Sequence, residues 1–483
     1  MMDLEGSTEV ESTGRTNTGS ADLARRDWRV GMAPGRLPLI GHALALARRP
    51  VEFVTSLREH GDLVELRLGP RRAYMVCHHE LVREVLLDSR TYDKGGSFFD
   101  AVRRIMGNGL IVSNWADHRV QRRLVQPAFH DSRLPAYATV MCEEAAALAA
   151  AWRPGVVDVD EATHRVAARV TFRSLFSTDA AAGVVREVQD ALIPFGEGTY
   201  RRTVDPTGLY ERLPLPSNRR FNRILARLQT IIDELVKERR RSPDANHGDV
   251  LSMLLAVRDE DTGQGLTDDE IRDQVMNLLL GGSETAATTL AWTFHLLAGH
   301  PEVERRLHEE IDGVLAGRPV VFEDLPRLPY TRRVLNEALR IYSPTWMLSR
   351  VTTADTVLAG RPIPAGTTVL FSLYALHRDP DAFAEPGRFD PDRWLPERAQ
   401  TIPRNACVPF GGGKRKCIGD EFAMVEMMIV LATIGARWRL RTLPGSITRP
   451  KALGTLGPGK LRMVAEPREH MVAEPRERTV AEP

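Results

Sequence analysis

The run Phe410-Gly411-Gly412-Gly413-Lys414-Arg415-Lys416-Cys417-Ile418-Gly419 decides how the chain is read. Its glycines form a turn that delivers one cysteine, flanked by cations, to an apolar stretch from Phe422 to Ala436. Lys414, Arg415, Lys416 and the N-terminus of the helix expected after Cys417 all favour ionised sulfur over thiol. A stabilised thiolate serves as a nucleophile, as one ligand of a zinc site, or as the axial ligand of a haem. Zinc takes about four ligands, usually Cys or His in close pairs, and the nearest other cysteine is Cys407. A phosphate loop is excluded, because Arg415 stands where Ser or Thr must follow Gly-Lys and Val408 stands where the first glycine belongs. A nucleophilic cysteine stays open, although no histidine is near it in the chain.

The pattern Phe-x-x-Gly-x-Arg-x-Cys-x-Gly resembles the haem-ligand loop of the cytochrome P450 family. That resemblance implies haem b bound through Cys417, the metal ligand, with Phe410 shielding the sulfur and Arg415 meeting a propionate. Gly413 and Gly419 would then permit close approach, so that peptide N–H groups point at the sulfur.

The longest helix is expected to begin at Thr267-Asp268-Asp269-Glu270, a Thr-x-x-Glu capping box, and to end at Gly299-His300-Pro301. Gly281-Gly282-Ser283-Glu284-Thr285 interrupts it. Two glycines inside an apolar helix cost about 1 kcal/mol each relative to alanine, so something approaches the backbone closely there or bends it. Read from the residues alone, Thr285 either bonds back along a packing notch or takes part in chemistry with Glu284. The resemblance implies the second: a distal helix whose Glu284 and Thr285 are catalytic, delivering protons to iron-bound oxygen. Ala286 follows, where many relatives carry a second Thr or Ser.

Further motifs appear in the family's order. His118 and Arg122 lie one helical turn apart and match its propionate-binding His/Trp-x-x-x-Arg; alone they would read as a solvated basic face. Glu337-Ala338-Leu339-Arg340 and Phe389-Asp390-Pro391-Asp392-Arg393-Trp394 supply Glu337, Arg340 and Arg393, a buried structural triad that would hold the loop before Cys417. Arg350 falls where the family places another propionate ligand. The segment Tyr200 to Phe221 reads as a loop, in the family a lid. Leu63 to Leu68 and Ala73 to Cys77, joined by Gly69-Pro70, read as a hairpin, and Thr367 to Phe371 as a strand.

The fold implied is mainly α with a small β-rich region, the cytochrome P450 fold, over residues 34–464. Residues 1–33 are polar, and residues 465–483 continue an eight-residue repeat begun at Met463; both are expected to be disordered. No apolar run reaches the ~20 residues a spanning helix needs, so no membrane anchor and a cytoplasmic location are expected. Net charge of +1 gives no pull toward nucleic acid, and the four cysteines lack framework spacing. The chain is expected to be monomeric.

The reaction class implied is insertion of oxygen from O2 into a C–H bond, with ferredoxin and ferredoxin reductase as electron donors. A non-catalytic haem-thiolate sensor has no need of an acid–alcohol pair, and a peroxide-using member would lack the acid. Candidate pocket residues Phe98, Phe99, Val102, Ile105, Met106, Leu280, Trp346, Met347 and Leu348 are apolar, without a fixed charge to anchor a carboxylate. Arg119 to Phe129 and Phe389 to Arg398 resemble soluble bacterial members that oxidise sesquiterpenes. The expected substrate is therefore a cyclic terpene; fatty acids, steroids and polyketides are the alternatives.

Overall fold

In the computed structural model the capping box forms as the sequence predicts. Thr267 Oγ1 accepts the amide of Glu270 at 3.2 Å, and the Glu270 carboxylate accepts the amide of Thr267 at 2.8 Å. The structure describes residues 26–468, apart from 177–186, 188–189, 192–193, 195–197, 199–212, 242–247 and 259–262. Most of the expected lid therefore lies outside the described residues. Its far end is not a loop, since a helix begins at Pro216 and contains Phe221. Proline at the first helical position explains the miss: it lacks only a donor that is orphaned there anyway.

In chain order, the elements that position the site begin with strands β1 (Val30–Met32), β2 (Leu63–Leu68), β3 (Arg71–Val76) and β4 (Tyr92–Asp93). Helices α1 (Gly96–Met106), α2 (Trp115–Val125) and α3 (Leu134–Ala151) follow, then β5 (Gly155–Asp158), α4 (Val159–Phe176) and α5 (Pro216–Arg241). The long α6 (Asp268–Ala298) precedes α7 (Pro329–Ile341), β6 (Leu348–Thr352) and β7 (Thr368–Phe371). Last come α8 (Asp420–Arg437), β8 (Trp438–Thr442), β9 (Lys451–Ala452), β10 (Leu456–Gly457) and β11 (Arg462–Pro467). The helices enclose one large apolar core, and a six-stranded sheet in the order β1-β2-β3-β7-β6-β4 flanks it. The β2–β3 pair is the expected hairpin, antiparallel with Leu63 opposite Val76.

Both chain-end boundaries are wider than the sequence predicts. Val30 to Met32 add a parallel strand to β2, so order begins before residue 33. The start of the first repeat copy, Met463 to His470, is not tail: through Pro467 it belongs to β11, the central strand between β8 and β5. Its alternation is the reason, because Met463 and Ala465 are buried while Arg462 and Glu466 face out. Residues 469–483, with the later copies, lie outside the described residues.

Close approach accounts for the two glycines of α6. A Cβ on Gly281 would stand 2.9 Å from Ile111 Cδ1, and one on Gly282 would stand 2.9 Å from Thr171 Oγ1 of α4. Among the described residues no helix is long and apolar enough to cross a membrane.

Candidate active site

The loop before α8 is shaped by its backbone. Gly413 has φ +63°, and a Cβ there would lie 2.3 Å from the carbonyl oxygen of Leu86, so only glycine fits. Gly419, at φ −105°, needs no left-handed conformation; its contribution is its amide, which donates toward the Cys417 sulfur. The Cys417 amide itself donates to the half-buried Phe410 carbonyl at 2.8 Å. All four cysteines are free.

The flanking cations do not make the thiolate as their adjacency suggests. Arg415 turns away to Asp93 and to the carbonyl of Ser113, Lys416 pairs with Asp420, and Lys414 lies 5.3 Å from the Trp115 ring. The Cys417 side chain is exposed on its loop, yet the protein packed around the sulfur raises the thiol by desolvation; the Gly419 amide, Arg122 and Lys416 lower it by less, and Asp420 adds to the rise. A Lewis acid on the sulfur would therefore complete the ionisation.

Four cationic side chains and one histidine converge beside this loop. Lys94 donates to the carbonyl of Ile111, Arg350 to that of Ser349 at 2.8 Å, and Arg122 to that of Lys416. His118, buried on α2, and Arg415 complete the group, with Asp93 the acid paired to it. Burial, then Arg415, Lys94, Arg122 and Arg350, push His118 down to about 3. Burial, then Arg350 and Arg415, hold Lys94 well below the ordinary lysine range, and burial with Arg415 lowers Arg350 to about 10. Such a cluster is stable only with further anions among it. Two carboxylates at the rim of a haem, held by Cys417, supply what these residues require, so the side chains present fit the group. Sequence reasoning missed Lys94; its only signal was a lone cation before Gly95-Gly96.

Ile111 ties α6 to the cation cluster. Its side chain reaches the notch at Gly281, and its carbonyl holds Lys94, whose charge is felt at Cys417. On α6, Thr285 Oγ1 donates to the Gly281 carbonyl at 2.8 Å, the back-bond that a packing notch would make. The carboxylate of Glu284 accepts from Thr455 Oγ1 at 2.9 Å, in the turn between β9 and β10. Trp292 Nε1 clamps that turn to α6 through the carbonyl of Leu456 at 2.7 Å. Thr455, 171 residues from its partner, left no local signal in the sequence.

Of the apolar candidates, Phe99, Val102, Ile105 and Met106 bury together on the inner side of α1, with Leu280 packed against the same core. Phe98 is 42% exposed, its ring edge-on to Phe99. Trp346 is instead a core residue under the flanking sheet, with Val54, Leu66, Met75 and Leu370, and Met347 packs against that cluster. Leu348 packs against the cluster containing Tyr74 and Phe371. The reason is the strand that follows: once β6 pairs with β7, the residues leading into it are drawn beneath the sheet.

The triad assembles on Glu337. Arg340 donates to it at 2.7 and 2.9 Å, Arg393 at 3.2 Å, Trp394 Nε1 at 2.9 Å and the Asp390 amide at 3.1 Å. The link to the cysteine loop is a residue absent from the motifs. Arg340 donates to the carbonyl of His377 at 2.8 Å, and the buried His377 Nε2 accepts the amide of Val408 at 2.9 Å. Burial, Arg340 and Arg378 push His377 down to about 3, which keeps its ring neutral and able to accept.

Glu426, an acid that sequence reasoning passed over, lies inside the apolar run of α8. It is fully buried, neither carboxyl oxygen has a partner among the described residues, and burial raises it well above the carboxylate range. The folded chain keeps a proton that the unfolded chain releases above about pH 4.3, so this group costs stability increasingly as pH rises from there toward its folded value. Glu426→Gln removes that cost. Its melting temperature should exceed the wild type's by a margin that widens between about pH 5 and pH 8; a constant margin would show that Glu426 is ionised in the fold.

Among the described residues, no three His, Cys, Asp or Glu side chains converge as a zinc site would require. The family model described as Cytochrome P450 matches residues 32–463. The chain is 52% identical to cyclooctat-9-en-7-ol 5-monooxygenase of Streptomyces melanosporofaciens, over 94% of this chain and 98% of that one. It is 45% identical to pentalenene oxygenase of Streptomyces avermitilis, over 91% and 98%. A crystallised haem domain described as cytochrome P450DA superposes with a TM-score of 0.83 at 28% identity, covering 92% of this chain and all of that one.

Proposed function

The chain belongs to the cytochrome P450 family and is a haem-thiolate monooxygenase, and from that premise we propose that it hydroxylates a cyclic terpene. The observation that carries the substrate reading is the inner face of α1, where Phe99, Val102, Ile105 and Met106 present only apolar surface. A wall of that kind holds a compact hydrocarbon by shape, and the relatives' names specify pentalenene and the alcohol cyclooctat-9-en-7-ol. The substrate class is therefore a ring-fused skeleton bearing at most a hydroxyl. Titrating the ferric protein with pentalenene and cyclooctat-9-en-7-ol should give a low- to high-spin shift that a medium-chain fatty acid, a steroid and a macrolide do not. A larger shift with one of those three would reassign the substrate.

When bound, haem supplies dioxygen activation at iron, and cysteine donation favours O–O cleavage. Cys417 is the metal ligand; Phe410, Gly413 and Gly419 shape its loop. His118, Arg122, Arg350 and Arg415, with Lys94, hold the propionate side. Glu284 and Thr285 are the proton-handling pair. As placed, the Thr285 hydroxyl proton is committed to Gly281, so the residue accepts a hydrogen bond first and donates only when that bond opens. Thr455 holds the Glu284 carboxylate at the edge of the β9–β10 turn, where it can collect a proton before passing it inward.

The electron donor we assign is an acidic ferredoxin. A groove of about 730 Å³ on the α2 side is lined by Arg119, Arg122, Arg123, Arg133 and Lys414. The cations lining this groove supply the attraction. Reduction by a ferredoxin should slow as ionic strength rises and should slow further in Arg123→Glu. Rates indifferent to both would place the docking face elsewhere.

A further inference from the structure

Between α1 and α2 the chain crosses α6, and the crossing is held by side chains of α6 rather than by backbone pairing. Asp273 Oδ2 accepts the amide of Asn108 at 2.7 Å, Gln274 Oε1 that of Leu110 at 3.1 Å, and Asn277 Oδ1 that of Ile111 at 3.0 Å. Asn277 Nδ2 donates to the carbonyl of Met106, the last residue of α1, at 3.1 Å. Gln274 and Asn277 are fully buried, so these bonds form where water does not compete. The fit leaves no space for a side chain at either glycine of the loop. A Cβ on Gly107, at φ +72°, would overlap the Asp273 carboxylate, and one on Gly109 would lie 2.3 Å from Asn277 Nδ2.

Asn108 joins this crossing to the helix of the propionate-side cations. Its side chain donates to Asp117 at 2.8 Å, and its carbonyl accepts from Gln121 at 2.6 Å, both on α2. We propose that Asp273, Gln274 and Asn277 are specificity-determining positioning residues, a latch that fixes the apolar face of α1 over the pocket and so decides which carbon of the substrate is presented. The inference rests on the reading of α1 as a pocket wall. Its physical content is that the Gln274 and Asn277 oxygens and the Asp273 carboxylate hold the loop leaving α1 while Asn277 Nδ2 holds its last carbonyl, and that Gly96, at φ +78° with open space around it, leaves the N-terminal end a place to pivot. Losing the latch lets the helix shift as a body, without unfolding the core.

The test uses the haem-loaded full chain. In Asn277→Ala, amide exchange in the peptide covering residues 106–112 should accelerate at least about tenfold, the equivalent of ~1.4 kcal/mol of lost local protection. Asp273→Ala should do the same to a lesser degree, and Asp273→Asn, which keeps an acceptor for Asn108, should restore the wild-type rate. With pentalenene, both alanine variants should spread oxygenation over more positions while the ferrous–CO spectrum stays unchanged. Should the wild type turn over no terpene, spectral binding of 4-phenylimidazole against a bulkier biphenylimidazole isolates the latch from the substrate reading. The variants should then gain at least about fivefold for the bulky probe, a change of ~1 kcal/mol. Unchanged exchange at residues 106–112 would overturn the proposal, as would faster exchange with unchanged product ratio and probe preference. If Asn277→Ala fails to load haem, the Asp273 pair decides by the same criteria.

Discussion

Cys417→Ser is expected to abolish the far-red-shifted Soret band of the ferrous–CO protein, with oxygenation falling by several orders of magnitude. The cysteine loop is rigid for reasons independent of the side chain at 417: Gly413 cannot be replaced under Leu86, and the Phe410 carbonyl holds the 417 amide. Serine therefore occupies the same position with a harder, weaker donor. Haem can stay bound through the cation cluster and the apolar core, but the thiolate donation that produces the spectral signature is lost. An unchanged CO spectrum in the serine variant would remove Cys417 as ligand.

Glu337→Ala should be strongly destabilising. It leaves the guanidinium groups of Arg340 and Arg393, both buried, without their carboxylate, and orphans Trp394 Nε1 and the Asp390 amide. Breaking a buried pair from one side costs roughly 3–5 kcal/mol. The damage should reach the cysteine loop, because Arg340 also holds the His377 carbonyl and His377 holds the Val408 amide. Urea unfolding and haem content report both effects. Glu337→Gln keeps the acceptor oxygen but not the charge and should fall between. A loss below about 1 kcal/mol with full haem content would mean that the triad is decorative.

How much of this was legible depended on whether the determinant was local. The capping box at Thr267 and the β2–β3 hairpin are decided by residues within a few positions of one another, and their reading needs only propensity and spacing; the glycine pair of α6 showed that something approaches, but not that Ile111 and Thr171 do. The cysteine loop is legible for the same reason. What escaped is carried by side chains that meet backbone from far along the chain. His377 to Val408, Thr455 to Glu284 and the Asp273–Asn277 latch onto residues 106–111 leave no periodicity, because a hydrogen bond needs one residue and not a pattern. Charge misled for a related reason. Lys414, Arg415 and Lys416 adjoin Cys417 in sequence, but Arg415 and Lys416 found carboxylates first, and desolvation outweighed what remained. Trp346 is buried with Val54, Leu66, Met75 and Leu370, where the pairing of β6 with β7 two residues later draws it.

The most direct test of the account is turnover of pentalenene and cyclooctat-9-en-7-ol with ferredoxin, ferredoxin reductase and NADPH under oxygen-18 gas. The account predicts a mono-oxygenated terpene carrying one labelled atom, formed on a ring carbon and absent with Cys417→Ser. No terpene product, alongside labelled product from a fatty acid or a macrolide, would contradict it.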